Sequence, residues 1–395
     1  MITNLLISGA WRTVGSIVLA ILILLVMITI HEFGHYIAGK ILHFKIDEFS
    51  IGFGPALFKK KNKKSGELFA LRLIPLGGYC AFHGEDGLED EKKEKEKQQE
   101  PFPEVAEGET AEVKAEETEV KPEEGETAPA KAAVEDEGAF TKKKPWQRII
   151  VLVAGALMNY VLALFLILIC FFSYGQTMMA VYEVEASEEI PVEYCLHDRD
   201  VFLKANGKNL YLTTDLVRAL NGKKAGDKVE FFLSRVVDTV TETDAEGNEK
   251  KKFIREEMTV EIILRADVNV KNSAEIDSMW AALGVRFDDE QQAYMLASST
   301  HKFGFFETLG RSFAYSFKIA GSIFKIIGEL LTGKLGISAL GGPVTTVAMT
   351  AQVASQSFRS FLEIASYIGV NLAVFNLLPI PALDGSKVVF TVIEW

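Results

Sequence analysis

The sequence has little cysteine and no excess of basic residues. Its 395 residues include three cysteines, Cys80, Cys170 and Cys195, which form no CxxC pair. That pattern indicates neither a disulfide scaffold nor a cysteine-ligated zinc site. The formal net charge is −12, and much of the acidity lies in residues 85–137. The basic surface typical of nucleic-acid-binding proteins is absent, so no nucleic-acid partner is expected.

Charged residues are rare in three long apolar segments. Residues 14–30 and 149–182 contain no charged side chain, and residues 361–383 form the third segment. Runs of about 20 apolar residues are typical of membrane-spanning helices. The first run continues into His31 without a small-residue cleavage site, which favours a retained helix over a signal peptide. We therefore predict membrane spans at residues 14–42, 146–174 and 361–383.

Lysines are concentrated between the first two predicted spans. Five of them lie in residues 59–64, and three more in residues 142–144 precede the second span together with Arg148. Loops on the cytoplasmic side of a membrane carry an excess of lysine and arginine. We therefore expect this loop in the cytoplasm, and the residues after Tyr174 on the outer side of the bilayer.

The segments outside the spans differ in composition. Residues 84–141 contain almost no aromatic side chains, so they cannot bury enough apolar surface to fold, and we predict a disordered insertion. Before it, residues 68–74 are typical of a strand, which residues 75–78 should end. Residues 313–331 place apolar side chains at helical spacing among three charged ones, which favours an interfacial amphipathic helix over a weakly hydrophobic span.

A soluble domain of mixed α and β structure is predicted after the second span. Residues 180–288 alternate polar and apolar side chains over an ordinary domain length. Within them, residues 229–235 and 258–264 are typical of strands, and residues 214–221 of a short helix.

The clearest chemical signal is a His-Glu-Phe-Gly-His motif at residues 31–35. Residues four apart lie on one face of a helix, so His31 and His35 can bind one zinc ion. Glu32 is adjacent and can accept a proton from the attacking water. A solvated helix with the same residues is the alternative, but such side chains at the end of an apolar run are costly in a bilayer and usually functional.

A zinc hydrolase needs a third protein ligand and one open position. No histidine or glutamate follows the motif at a typical spacing, and His43 lacks the surrounding pattern. Asp384 is the best candidate because it also ends an apolar segment. An Asp-Gly pair is equally common in polar turns, so the residues alone leave both interpretations of Asp384 open.

Together these motifs resemble the bacterial site-2 proteases, and specifically the PDZ-containing type that is similar to the regulator of sigma-E protease. Residues 31–35 match the HExxH motif of that family, and residues 376–385 match its NxxPxPxLDG signature. Residues 154–160 resemble its GPxxN motif, with Ala156 in place of proline. Three shorter matches are residues 53–55, 75–79 and 341–343.

The resemblance implies a role for each of these residues. His31, His35 and Asp384 would bind Zn²⁺, and Glu32 would be the general base. The substrate-binding residues would be Asn159, Asn371, Asn376, Pro379 and Pro381. Asparagine amides can pair the backbone groups of an unwound substrate helix inside a membrane, although hydrogen bonding between the protein's own helices is an equally good interpretation of the asparagines.

The implied fold is an α-helical multi-span membrane protein with a membrane-associated β-hairpin region and an inserted extracytoplasmic PDZ-like α/β domain. Residues 196–208 resemble the PDZ core, but Arg199 stands where glycine is expected, so the domain could filter substrates by size instead of binding a peptide. We divide the chain into the first transmembrane helix (1–43), the β region (44–83), the insertion (84–144), the second transmembrane helix (145–178), the PDZ-like domain (179–290), the amphipathic helix (300–340), the third transmembrane helix (341–385) and a truncated final segment (386–395).

The function expected from the resemblance is intramembrane zinc-dependent cleavage of single-span membrane proteins, such as anti-sigma factors or remnant signal peptides. The protein would be a multi-pass protein of the bacterial cytoplasmic membrane, with its active site toward the cytoplasmic face. Two alternatives stay open. One is a zinc protease that acts on soluble or misfolded proteins at the membrane surface, and the other is a PDZ-bearing adaptor with a vestigial site.

Overall fold

The structure is a computed structural model that describes residues 2–85, 138–243, 249–271, 275–334, 336, 348, 350–353 and 356–395. Its helices are α1 (Ile2–Ile41), α2 (Pro145–Tyr174), α3 (Thr213–Leu220), α4 (Asp277–Ala282), α5 (Phe305–Leu331), α6 (Phe358–Asn376) and α7 (Asp384–Ile393). Its strands are β1 (Ile46–Lys61), β2 (Leu68–Phe82), β3 (Gln176–Val181), β4 (Val201–Ala205), β5 (Lys208–Asn209), β6 (Lys228–Thr243), β7 (Glu249–Ile263), β8 (Phe287–Asp288), β9 (Ala293–Tyr294) and β10 (Leu296–His301). The motif at residues 341–343 and most of the predicted insertion lie outside the described residues.

Three helices among the described residues are long and apolar enough to cross a membrane. They are Ile17–Ile41 within α1, Pro145–Tyr174 and Phe358–Asn376. The third is shorter than the predicted segment at residues 361–383, because α6 ends at Asn376 and Asp384 begins α7. Proline cannot donate the backbone hydrogen bond that a continuing helix needs, and the two prolines between these residues make the chain turn there.

The second span is central to the helix packing. α2 packs against α1, α5 and α6, and its side chains Ala163 and Ile167 are fully buried. On one side it shares a core with Ile319 and Ile323 of α5. We expected α5 at the membrane interface. It packs along α2 and α6, two of the three candidate spans, although α5 is not itself a candidate span.

The first sheet, β1 with β2, lies beside the end of α1. Each long strand folds back on itself, so that Ile51 pairs with Gly78 on one side and Leu71 on the other. We expected residues 75–78 to end the strand, but β2 continues to Phe82, because Gly77 adopts a φ of 128° that turns the chain within the sheet. Residues 78–82 thus form one margin of this sheet.

An aromatic cluster joins this sheet to the start of the second span. The rings of Phe44, Phe82 and Phe140 pack with centroids 5.5–5.7 Å apart, and Phe140 is buried. The backbone N–H of Lys45 also donates to the carbonyl of Gly138. Residues 138–144, which we had included in the insertion, therefore have a defined structure.

The second sheet forms a domain that we call the sheet domain (residues 176–301). Its strands among the described residues are arranged in the order β10-β3-β4-β6-β7, with β5 beside β4. β3 and β10 extend this unit beyond the predicted boundaries of 179 and 290, and α3 matches the predicted short helix. Arg199 adopts a φ of 66°, the left-handed conformation that explains why glycine is expected there. The fully buried core includes Phe202, Leu216, Phe231, Leu233 and Ile262.

Polar contacts hold the sheet domain against the helices. Arg311 of α5 is almost fully buried and donates to Oε1 of Gln176 at 2.7 Å and to the carbonyl of Leu210 at 2.8 Å. Thr177 of β3 is hydrogen-bonded to Glu363 of α6. β3 follows α2 after a single residue, so the sheet domain lies at the end of α2 and α6 that is remote from α1's histidines.

Candidate metal centre

Three potential metal ligands from two distant parts of the chain meet in the structure. His31 and His35 lie one turn apart on α1, and Asp384 is the first residue of α7. Oδ2 of Asp384 is 3.0 Å from Nε2 of His31 and 3.2 Å from Nε2 of His35, and the two Nε2 atoms are 3.2 Å apart. No other residue of the described part joins this group of candidate ligands.

The geometry of these atoms fits a tetrahedral zinc ion. Bonds of about 2.0–2.1 Å in a tetrahedron separate the ligand atoms by about 3.3–3.4 Å, close to the observed triangle. Oδ2 of Asp384 is buried and has no hydrogen bond of acceptable geometry among the described residues. A cation between the three atoms would satisfy that oxygen, and the nitrogen and oxygen donors are those that zinc accepts in catalytic sites.

A hydrogen bond orients the imidazole of His35. Its Nδ1–H donates to the backbone carbonyl of Val151 in α2 at 2.8 Å. The proton on Nδ1 leaves a lone pair on Nε2, the atom that faces Asp384, and ligating histidines are commonly held in this way. The second span therefore fixes both the tautomer and the direction of one ligand.

Gly155 of α2 makes room for the two imidazoles. A Cβ atom at this position would lie 2.4 Å from Nε2 of His35 and 2.8 Å from Cε1 of His31. Any side chain would therefore collide with the candidate ligands. Gly34, inside the motif, is similarly needed because a Cβ there would lie 2.4 Å from the carbonyl oxygen of Ala154. The close approach of α1 and α2 at these two positions therefore requires glycine.

Glu32 points into a cavity beside the candidate ligands. The cavity has a volume of about 540 Å³ and is lined by Glu32, His35 and Asp384 together with residues 79–82 of β2. The strand β2 comes close to this side chain, since a Cβ atom on Gly78 would lie 3.5 Å from Cγ of Glu32. The carboxylate therefore lies next to the ligand triangle in a space large enough for water and a peptide.

Charged groups surround the cavity on the side of the first sheet. Arg72 contacts the Glu48 carboxylate at 2.6 Å and the Tyr79 hydroxyl at 2.8 Å, and Lys387 pairs with Glu85 at 2.6 Å. Burial and the Glu48 carboxylate raise the pKa of the Tyr79 phenol, so it is neutral at pH 7. This charged surface favours entry of water from that side.

The remaining predicted site residues lie in three different environments. Nδ2 of Asn376 is 3.3 Å from Nδ1 of His31, and Nδ2 of Asn159 is 3.5 Å from the same atom. Oδ1 of Asn371 is buried without a hydrogen-bond partner in the described part of the chain. Pro379 and Pro381 are exposed in the turn between α6 and α7.

The sequence did not point to Val151 as a site residue, and it gave Gly155 only as part of the GPxxN-like match at residues 154–160. Val151 acts through its backbone carbonyl, and backbone atoms carry no signature in the sequence of side chains. The small residues on either side of Gly155 are typical of close helix packing. They do not indicate which helix packs against Gly155.

Comparison with known proteins agrees with this centre. The chain matches Peptidase family M50 over residues 19–395. It is 28% identical to zinc metalloprotease RasP of Bacillus licheniformis over 416 residues, which cover 96% of this chain and 90% of that protein. It is 26% identical to the regulator of sigma-W protease RasP of Bacillus subtilis over 417 residues, with the same two shares.

These matches confirm the resemblance to site-2 proteases and, together with the three apolar helices, indicate a membrane-embedded protein. They also exclude the interpretation as a non-enzymatic adaptor, since the relatives are named proteases. The chain belongs to Peptidase family M50, the site-2 protease family, and is a zinc metallopeptidase.

Proposed function

We propose that this chain is an intramembrane protease that performs regulated cleavage of single-span membrane proteins, such as anti-sigma factors or remnant signal peptides, within the bilayer. The position of the ligand triangle carries this proposal. Val151 and Gly155, which contact the ligands, lie 6 and 10 residues after the start of α2 at Pro145. At 1.5 Å per residue this is about 9–15 Å along the span, inside an apolar layer of about 30 Å.

We assign His31, His35 and Asp384 as the zinc ligands, because their donor atoms form the triangle described above. When bound, zinc supplies Lewis-acid activation of water and of the scissile carbonyl. Glu32 acts as the general base. Its carboxylate, which lines the same cavity as His35 and Asp384, accepts a proton from the attacking water and returns it to the departing amine.

The margin of the first sheet supports a substrate in extended form. A helix shields its own backbone, so a transmembrane substrate must unwind before its carbonyl can be attacked. Residues 79–82 of β2 line the cavity beside Glu32, and an extended segment can pair with a strand at a sheet margin. The substrate's unpaired backbone groups would otherwise be costly in the membrane.

Asn371 and Asn376 are the proposed amide partners of the unwound substrate. Asn371 is only partly buried as a residue, and its Oδ1 has no hydrogen-bond partner among the described residues, so a substrate N–H can donate to it. Pro379 and Pro381 keep the chain after α6 out of a helix, and we propose that their exposed turn contacts the substrate near Asp384. Hydrogen bonding between helices is the competing role for both asparagines.

The distribution of charge supports an orientation for the protein in the bacterial cytoplasmic membrane. The lysine-rich turn at residues 59–64 belongs to the sheet beside the metal centre, whereas the sheet domain lies at the other end of α2 and α6. Because cytoplasmic loops carry an excess of lysine and arginine, this charge supports a centre that lies toward the cytoplasmic face. The sheet domain would be an extracytoplasmic PDZ-like domain that limits which substrates reach the centre.

Replacing Glu32 with glutamine tests this function. Glu32→Gln keeps the size and shape of the side chain but removes the base, so zinc content should stay at one ion per chain while cleavage falls about 10²–10⁴-fold. The assay uses purified full-length protein in liposomes with a single-span substrate, and Glu230→Gln on an exposed strand position is the matched control. Full cleavage by Glu32→Gln would refute the mechanism, and equal cleavage of soluble unfolded proteins would favour a surface protease.

A further inference from the structure

We propose that Asn159 of α2 is a positioning residue that holds His31 in the tautomer needed to bind zinc. The inference rests on the ligand assignment made above. Asn159 is 1% exposed and lies against the imidazole of His31, 128 residues away in the chain. The role of Asn159 follows from two groups that need a hydrogen-bond partner. One is the single N–H of the neutral His31 imidazole, and the other is Oδ1 of Asn159.

His31 needs a hydrogen-bond acceptor at Nδ1. Its Nε2 faces Oδ2 of Asp384 at 3.0 Å and is therefore the ligating atom. A neutral imidazole that ligates through Nε2 carries its proton on Nδ1. In His35 the Nδ1–H donates to the carbonyl of Val151. Among the described residues, only the carboxamides of Asn159 and Asn376 lie within hydrogen-bonding distance of Nδ1 of His31.

Asn376 lies in the wrong direction to be this acceptor. Its Nδ2 is 3.3 Å from Nδ1 and 3.4 Å from Nε2 of His31, almost equal distances. The N–H and lone-pair directions of the two ring nitrogens diverge, so an atom equally far from both cannot lie along either of them. The Asn376 amide therefore lies over the face of the ring, where it can contribute only a weak N–H to π contact.

Asn159 satisfies the requirement through its carbonyl oxygen. Its Nδ2 is 3.5 Å from Nδ1 of His31, and its Oδ1 is buried with no hydrogen-bond partner in the described part of the chain. Rotation of the carboxamide by 180° exchanges these two atoms. Oδ1 then faces Nδ1–H, and one hydrogen bond satisfies both groups, each of which would otherwise be unpaired in an apolar bundle.

The surroundings of Asn159 argue against the role in substrate handling that the resemblance implied. Asn159 is buried within the helix bundle, where its side chain lies against His31 of α1. A nearly fully buried amide offers no surface to a substrate. It can support the reaction only through the group it contacts, and that group is His31.

Zinc affinity, measured without substrate, tests this inference. Asn159→Leu keeps the shape but removes the acceptor, whereas Asn159→Asp keeps an acceptor. Competition with a chelator in the purified full-length protein should give a Kd for zinc that is about 10–100-fold weaker for Asn159→Leu and within about 3-fold of the original for Asn159→Asp. Ser366→Ala, at another buried polar side chain of the helix bundle, is the control and should keep the original zinc Kd.

Each possible outcome decides between the roles. Unchanged zinc affinity in Asn159→Leu with a raised KM for substrate would overturn the inference in favour of substrate handling. Equal losses in Asn159→Leu and Asn159→Asp would show that packing, and not the acceptor, matters. His31→Ala tests the ligand assignment separately from the role of Asn159. If His31→Ala retains zinc, the ligand assignment is wrong and this inference fails with it. If only His31→Ala loses zinc, the ligand assignment stands but the role of Asn159 is refuted.

Discussion

Replacing Gly155 with alanine should remove zinc from the protein. The added methyl would lie 2.4 Å from Nε2 and 2.6 Å from Cε1 of His35, and 2.8 Å from Cε1 of His31. The optimal separation of two non-bonded carbon atoms is about 3.5–4.0 Å, so at least one imidazole must move by about 1 Å. Zinc bonds tolerate deviations of only about 0.2 Å, so the moved ring can no longer ligate.

Two features of the structure prevent an easy escape from this clash. The ring of His35 is held by its hydrogen bond to the Val151 carbonyl at 2.8 Å, in the same helix as the methyl group. A shift of α2 away from α1 would relieve the clash, but it would break the close contact between Gly34 of α1 and the Ala154 carbonyl of α2. We expect overpacking to cost about 1–3 kcal/mol of stability and the zinc Kd to rise at least about 100-fold, or about 2.7 kcal/mol.

The assay is zinc stoichiometry after dialysis against a chelator, followed by cleavage of a single-span substrate in liposomes. Gly321→Ala in α5 is the matched control, because outside its own helix backbone no heavy atom of the described residues lies within 4 Å of its Cβ position, and alanine stabilises a helix by about 1 kcal/mol relative to glycine. It should keep its zinc. If Gly155→Ala also retains one zinc ion with an affinity within about 3-fold of the original, the close approach of α2 to the ligands is refuted.

Further substitutions probe the third ligand and the sheet domain. Asp384→Asn should lower zinc affinity while Glu32→Gln does not, and unchanged stoichiometry would remove Asp384 from the ligand set. Arg235→Met removes the guanidinium 2.6 Å from the carboxylate of Asp200, which is 0% exposed and then keeps only the hydrogen bond from the His197 N–H among those given by the described residues. It should destabilise the sheet domain by about 3–5 kcal/mol, seen as faster amide exchange in β6, and unaltered exchange would contradict this. Arg311→Met should accelerate exchange in β3 through the loss of the Gln176 contact with zinc content unchanged, and loss of zinc would show that the domain also supports the metal centre.

Local patterns in the sequence were enough for the features that depend on one segment. The apolar runs located the three spans, because crossing a bilayer requires about 20 apolar residues in a row. The pair His31 and His35 followed from the four-residue spacing of a helix face. The short helix α3 and the strands β6 and β7 were found in the same way, from periodicity alone.

Features that depend on contacts between segments were missed or misplaced. The turn at Gly77 does not end β2, because folding back within the sheet keeps its backbone hydrogen bonds paired. α5 is polar enough for an interface, yet Arg311 and Lys318 are satisfied by the sheet domain, which frees its apolar face to pack on α2 and α6. Neither partner can be read from the helix itself.

The sequence by itself determined that a helix bearing two histidines and a glutamate ends a membrane-spanning run, since spacing and hydropathy are local properties. Only the tertiary structure decided that Asp384 completes the triangle, because the contact joins His31 and Asp384, 353 positions apart, and depends on the break after α6. The same holds for the space at Gly155, the carbonyl of Val151 and the carboxamide of Asn159. Each acts on a ligand across a helix interface, and no pattern within one segment specifies which neighbour will lie there.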